Sequence, residues 1–200
     1  MSDPKTLLAL AGANLAPVPL SQAALLIIDA QNEYLDGTLA LPGVQPAVAE
    51  IGHLLERARA GGRPVIHLRH MGQPGGLFDA QARPGQIVDP LTPLADEPVV
   101  GKSLPNAFAG TNLKSLVDEL GVKQLVVTGF MTHMCVSATV RAAVDLGLFS
   151  TVVASACATR DLPSPTGGAA VPAQSLHEAA LAALADRFAV VARGAGDVPD

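Results

Sequence analysis

Short apolar runs alternate along the chain with longer segments whose apolar residues fall at helical spacing. The runs cover residues 24–28, 64–68, 124–129, 150–154 and 188–191. Nearly every position in them is apolar, rather than every second one. That predicts strands buried on both faces, as in a parallel sheet. Residues 46–60 place Val48, Ile51, Leu54, Leu55 and Ala58 on one helical stripe. Gly61 and Gly62 end this helix, and Pro64 bars its continuation. Further helices are predicted over 111–120, with Thr111 as N-cap and Gly121 as stop, and over 133–146, ending at Gly147. A fourth spans 172–185, with Pro172 in its first turn. The alternation predicts one doubly wound α/β domain over residues 1–200, with 1–19 as an N-terminal extension. Its sheet is mainly parallel, of five or six strands, with helices on both faces.

Two segments break the alternation. Residues 30–45 and 71–104 are long, rich in Gly and Pro, and follow strands. Loops of this length in a compact domain are usually functional or disordered. Ligands of open α/β sheets bind at the carboxyl ends of the strands. The site is therefore expected at the edge these loops leave.

Composition narrows the function. Of 200 residues, 49% are hydrophobic and only 16% charged, which suits a folded domain and leaves little polar surface. Some apolar surface is expected to be covered in a homo-oligomer, a dimer or tetramer. The net charge is −5 and Lys and Arg are scattered singly, which argues against nucleic acid as a partner. No apolar run reaches the ~20 residues of a bilayer span. Residues 7–13, after Lys5, are apolar, but one lysine beside Asp3 and no clear cleavage pattern make a poor secretion signal. Two cysteines do not make a disulfide scaffold, so a cytoplasmic protein with a free thiol is expected.

Several residues could carry chemistry. Asp29 ends the first buried run; it is either a catalytic acid or a turn-capping Asp. Cys135 follows the run at 124–129 by a short turn, near the start of a helix. There the helix dipole favours thiolate, and backbone N–H groups could form an oxyanion site. The alternative is a small buried hydrophobe. Cys157 has no helix start behind it and reads as structural. Lys102 ends the second long segment; alone it reads as solvated, but a buried carboxylate needs a cation and a thiolate is stabilised by one. His67 and His70 are three apart in a strand and face opposite sides, which is poor geometry for a shared metal. Phosphate-binding glycine loops and the Gly-x-Ser-x-Gly elbow are absent, which argues against nucleotide binding and serine hydrolase chemistry.

The chain resembles the isochorismatase-like cysteine hydrolases, of the isochorismatase/nicotinamidase superfamily. The matching pieces are Ile27-Ile28-Asp29-Ala30-Gln31-Asn32-Glu33-Tyr34, then Val100-Gly101-Lys102 with Asn106-Ala107-Phe108 and Thr111. The third, Gly129-Phe130-Met131-Thr132-His133-Met134-Cys135-Val136, is the most specific. The resemblance implies an Asp29–Lys102–Cys135 triad, with Asp29 as proton carrier, Lys102 as counter-charge and Cys135 as the nucleophile of a covalent acyl-enzyme. It also implies a cis peptide at Phe130–Met131 and an oxyanion hole from the backbone N–H groups of Met131 and Cys135. Nicotinamidases of this superfamily carry an Asp-x-His and a further His as a metal site. Here that place reads Leu68-Arg69-His70-Met71-Gly72, so no metal or other cofactor is expected. Asp36-Gly37-Thr38-Leu39 with Pro42-Gly43 nevertheless resembles that subgroup.

The expected activity is hydrolysis of a C–N bond in a small amide-type substrate. Tyr34, His70, Phe108 and His133 are expected to lie around that substrate. A vinyl-ether hydrolase of the isochorismatase type and a non-catalytic binding protein are the alternatives.

Overall fold

The structure, a computed structural model, describes residues 3–200. Six strands form one sheet: β1 (Ala23–Ile28), β2 (Val65–His70), β3 (Val99–Lys102), β4 (Gln124–Phe130), β5 (Phe149–Ala158) and β6 (Ala189–Ala192). Their order is β3-β2-β1-β4-β5-β6, and every neighbouring pair is parallel. The chain thus builds outward from β1 to β3, then returns to lay β4 on the free side of β1. The β1/β4 boundary is a topological switch point, where the loops diverge and leave a crevice.

Every residue of β1 is buried. Leu25 and Ile27 face a layer containing Ile51, Leu54 and Leu55 of the long helix Val44–Ala60. Leu26 and Ile28 face the other layer, with Val117 of the helix Leu113–Glu119, Val140 of the helix Ser137–Asp145 and Leu184 of the helix Ala173–Arg187. Burying each such aliphatic side chain is worth about 1.5–3 kcal/mol. This two-sided covering is why the strands read as continuous apolar runs. At the amino end, a short helix at Leu7–Leu10 rests on the helix Ala173–Arg187, where the Leu7 N–H donates to Asp186 Oδ1 at 2.8 Å. Among the described residues, no helix is long and apolar enough to cross a membrane.

The differences from the sequence expectation lie in the long segments and near the site. Residues 71–104 are not all loop: they contain β3, and Lys102 is its last residue. Residues 30–45 contain a short helix, Asn32–Asp36, and the long helix begins at Val44, two residues earlier than predicted. Asn112 directly precedes the helix Leu113–Glu119 but makes no side-chain cap; the Thr111 hydroxyl, one residue further back, accepts from the Leu113 N–H at 3.2 Å and donates to the Ala107 carbonyl at 2.5 Å. β5 extends to Ala158, so Cys157 lies inside a strand rather than after it. From Val127↔Val152 to Gly129↔Cys157 the register advances two residues on β4 and five on β5. This irregular stretch, Ala154-Ser155-Ala156, has no β-branched residue, which hid the strand's continuation.

Buried polar side chains hold the long segments down. The Gln31 amide donates to the carbonyls of His70 (3.0 Å) and Gly85 (2.9 Å), and its oxygen accepts from the His70 N–H at 2.8 Å. The Asn32 amide donates to Arg83 O at 3.2 Å. Glu33 accepts from the N–H groups of Leu39 at 3.0 Å and Phe78 at 3.4 Å. Three consecutive residues thus tie residues 70–85 to the end of β1.

Candidate active site

Asp29 follows β1 directly and has a left-handed backbone, φ +50°, uncommon for a residue with a side chain. Its N–H donates to Leu68 O at 3.0 Å and its carbonyl accepts from Gln31 N–H at 2.8 Å, which holds this conformation from both sides. On β4, Gly129 pairs with Ile28, the last residue of β1, and has φ +108°. A Cβ there would stand 2.0 Å from the Ile28 carbonyl oxygen. Glycine is thus required for β4 to pass this close to the residue before Asp29. The Phe130–Met131 peptide that follows is cis.

Cys135 does not open a regular α-helix. Thr132–Val136 form a π-helical turn that runs into the helix Ser137–Asp145. The Met131 carbonyl accepts from the N–H groups of Met134 (3.0 Å) and Val136 (3.3 Å), so the chain around Cys135 is tightly wound.

Lys102 lies across from His70 on β2 and reaches over the ends of the strands toward β1. Its Nζ is 2.7 Å from Asp29 Oδ2, donates to Cys135 Sγ at 3.4 Å and donates to Leu104 O at 3.1 Å. The ammonium thus makes two hydrogen bonds and one close ion pair. The Asp29 and Lys102 side chains are fully buried, and Cys135 is nearly so. Both Asp29 carboxylate oxygens are buried without a hydrogen-bond partner, Oδ2 being held by the ion pair alone. The three candidate residues, drawn from the ends of three strands, therefore share one water-poor point.

Their electrostatics differ from the sequence expectation. Burial, and then the Asp29 charge, push the Cys135 thiol up to about 12, with Lys102 pulling it the other way. The dipole and lysine effects expected to favour thiolate are outweighed by loss of solvent and a neighbouring anion. The protonated form of Cys135 is thus favoured beside the Asp29–Lys102 ion pair.

The expected substrate-contacting residues occupy different environments. Tyr34 is buried in the core, edge-on to Phe78 (5.0 Å between ring centres) and Phe130 (5.8 Å). Burial first, then the Asp29 charge, raise its hydroxyl above the ordinary range. His70, the last residue of β2, is half-buried against Phe78, and burial followed by the Lys102 charge favours its neutral form. Phe108 is half-buried against the layer that contains Cys135. The His133 ring places Nδ1 2.5 Å from Thr159 Oγ1, while its Nε2 is buried without a partner. Two surface clefts of about 560 Å³ each lie elsewhere, one beside Arg59 and Glu97, the other between residues 13–19 and β5; neither is lined by Asp29, Lys102 or Cys135. Cys157 is buried, and Gly129 stands opposite it in the sheet.

The sequence reading missed Arg160. It follows β5 by two residues, and Ala158 of that strand pairs with Phe130 of β4. The available signal was a charged residue just past a strand's carboxyl end. It also missed Thr132 and His177, whose side chains meet at 2.8 Å between the π turn and the helix Ala173–Arg187.

The isochorismatase domain model matches residues 23–195, which includes all three residues of the buried cluster. The chain belongs to the isochorismatase family of hydrolases. Over 98% of its length it is 47% identical to the crystal structure of an isochorismatase from Pseudomonas putida KT2440, covering 100% of that chain with a TM-score of 0.93. It is 40% identical to the uncharacterized isochorismatase family protein YddQ of Bacillus subtilis, over 84% of this chain and 94% of that one. Ureidoacrylate amidohydrolase RutB of Pseudomonas syringae pv. syringae is 31% identical, over 70% of this chain and 74% of its own length. Within this family-wide fold, the Asp29–Lys102–Cys135 cluster lies at the switch point between β1 and β4.

Proposed function

We propose that this isochorismatase-family hydrolase cleaves a C–N bond of a small amide-type substrate through an acyl-enzyme on Cys135. The observation that carries this reading is the Lys102 ammonium bridging Asp29 and the Cys135 sulfur in a buried site. A thiol whose affinity for its proton is raised needs a base at hand, and Asp29 has an unoccupied carboxylate oxygen beside it.

Sγ forms a bond to the amide carbon as its proton passes to Asp29. The backbone N–H groups of Met131 and Cys135 receive the developing oxyanion. Asp29, now an acid, protonates the leaving nitrogen; the C–N bond breaks and leaves a thioester. Water then attacks the thioester, Asp29 takes its proton, and that proton returns to sulfur as the acid product leaves. Lys102 stays charged throughout and balances the anion, first on Asp29 and then on the reacting atoms. Tyr34, His70, Phe108 and His133 surround the substrate without taking part in bond making. The amidohydrolase name of the Pseudomonas syringae relative supports the choice of an amide.

Release of ammonia from a panel of small amides tests this reading, with Cys135→Ala as the blank. Turnover that survives in Cys135→Ala overturns the mechanism. Pyruvate release from isochorismate with no ammonia from any amide replaces it with vinyl-ether hydrolysis. We also assign the protein to the cytoplasm as a homo-oligomer. Two free, buried cysteines support the first, and exposed Leu10 and Phe149 support the second. A monomer in light scattering at micromolar concentration counts against the assembly.

A further inference from the structure

Thr132 and His133 are consecutive residues of the π-helical turn that carries Cys135, and a threonine–histidine pair ties each to a different element. Thr132 Oγ1 lies 2.8 Å from Nδ1 of His177 on the helix Ala173–Arg187. His133 Nδ1 lies 2.5 Å from Oγ1 of Thr159, which directly follows β5. The turn is closed by i→i+5 bonds, from the Val136 N–H to Met131 O at 3.3 Å and from the Ser137 N–H to Thr132 O. Turns of this kind are rare and wider than those of an α-helix. A single side-chain bond would let such a turn swivel. Two bonds at consecutive residues, to separate elements, fix its tilt.

His177 stands where an apolar residue is expected. With Leu181 and Leu184 it falls at i, i+4 and i+7, the stripe that this helix buries in the layer containing Cys135 and Val136. The Thr132 side chain it meets is fully buried. Burial favours the neutral form of His177, against the pull of Glu178, and a neutral ring can pair with a hydroxyl. A valine against a leucine would fill the same space with no polar atom to satisfy, and exchanging both partners in this way costs little stability. The polar pair therefore supplies direction: a hydrogen bond sets a distance and an angle, whereas an apolar contact lets the turn slide.

We propose that His177 is a positioning residue, which through Thr132 holds the tilt of the turn and so aims Cys135 at the reacting carbon. This rests on the reading of Cys135 as the nucleophile. Without the Thr132–His177 bond, the turn pivots on the His133–Thr159 bond, and the sulfur and the Cys135 N–H shift together relative to Asp29 and Lys102. The sulfur then loses part of its burial, which is the chief influence holding its proton. It reacts more readily with a small reagent while meeting a bound carbonyl in poorer alignment.

The double variant Thr132→Val/His177→Leu tests this, because it keeps the packing and strands no polar atom. Its melting temperature is expected to stay within a few degrees of wild type. Alkylation of Cys135 by iodoacetamide at pH 7–8, followed on the Cys135 peptide, needs no substrate and is expected to become about threefold faster or more. For the small amide that wild type hydrolyses best, kcat is expected to fall about tenfold or more with KM little changed. His177→Asn, whose side-chain amide reaches the place of Nδ1, is expected to keep both readouts near wild type. A folded double variant with the wild-type alkylation rate overturns the proposal whatever its turnover, as does a His177→Asn protein that alkylates as fast as the double variant. Faster alkylation in the double variant but not in His177→Asn, in a protein whose wild type hydrolyses no amide, upholds the positioning role and counts against the amide reading.

Discussion

Lys102 Nζ stands 2.7 Å from Asp29 Oδ2, and neither side chain has any exposed surface. A pair buried this completely costs much of its attraction in lost hydration, so it is poor evidence of stabilisation. Removing one partner is another matter, because it strands the other charge. Lys102→Met is expected to lose about 3–5 kcal/mol in denaturant unfolding. The double variant Asp29→Asn/Lys102→Met is expected to lose less than the sum of the singles, since no unpaired charge remains. Both are expected to be inactive. A double variant as unstable as the sum would mean that the pair does not act as a unit.

Gly129 sets the distance between the strands that carry Asp29 and lead to Cys135. Its φ is +108°, and a methyl group on its Cα would lie 2.0 Å from Ile28 O, so there is no room for a side chain. Gly129→Ala is expected to cost more than about 3 kcal/mol, or to prevent folding. A Gly129→Ala protein with wild-type melting behaviour would show that β1 and β4 can part freely at this point.

Far from the site, Glu97 is gripped by Arg59, whose Nε and Nη2 donate to its two oxygens at 2.7 and 2.8 Å, with His67 Nε2 at 3.0 Å. Arg59 foremost holds this carboxyl down to about 2, against an ordinary 4.5. A depressed folded-state value stabilises the fold above pH 4.5, and that contribution is lost as pH falls toward 2. Glu97→Gln is expected to be less stable at pH 7 and to show a shallower loss of stability between pH 4.5 and 2. Equal slopes for the two proteins in acid unfolding would contradict this.

The buried strands were legible because burial on both faces leaves an unbroken apolar run, as in Leu25-Leu26-Ile27-Ile28. β3 was not, because an edge strand of four residues, Val99-Val100-Gly101-Lys102, with Val99 and Gly101 exposed, carries too little apolar signal. The meeting of Asp29, Lys102 and Cys135 was legible chiefly through the family resemblance, since from the residues alone Asp29 also read as a turn cap, Cys135 as a buried hydrophobe and Lys102 as a solvated loop residue. The thiol's environment was not, because the sequence displays the lysine and the helix but not the depth of burial.

The last prediction separates nucleophilicity from turnover. In the wild type, burial and the Asp29 anion hold the proton on Cys135, and Lys102 opposes them. Asp29→Asn removes the anion but keeps the shape, leaving the thiolate as the natural partner of the Lys102 ammonium. The thiol is then expected to lose its proton at lower pH, and alkylation by iodoacetamide at pH 7–8 to become about tenfold faster or more. Lys102→Met removes the opposing charge and is expected to slow alkylation below wild type. Turnover moves differently: both variants are expected to fall by at least about a hundredfold, because Asp29→Asn cannot carry the proton to the leaving nitrogen and Lys102→Met leaves the developing anion unbalanced. Cys157→Ala, a change in a strand outside the buried cluster, is expected to leave both readouts nearly unchanged. Asp29 is therefore expected to restrain the thiol at rest and to release it only when a carbonyl arrives to share the charge. Slower alkylation in folded Asp29→Asn would show instead that Asp29 generates the thiolate before substrate binds.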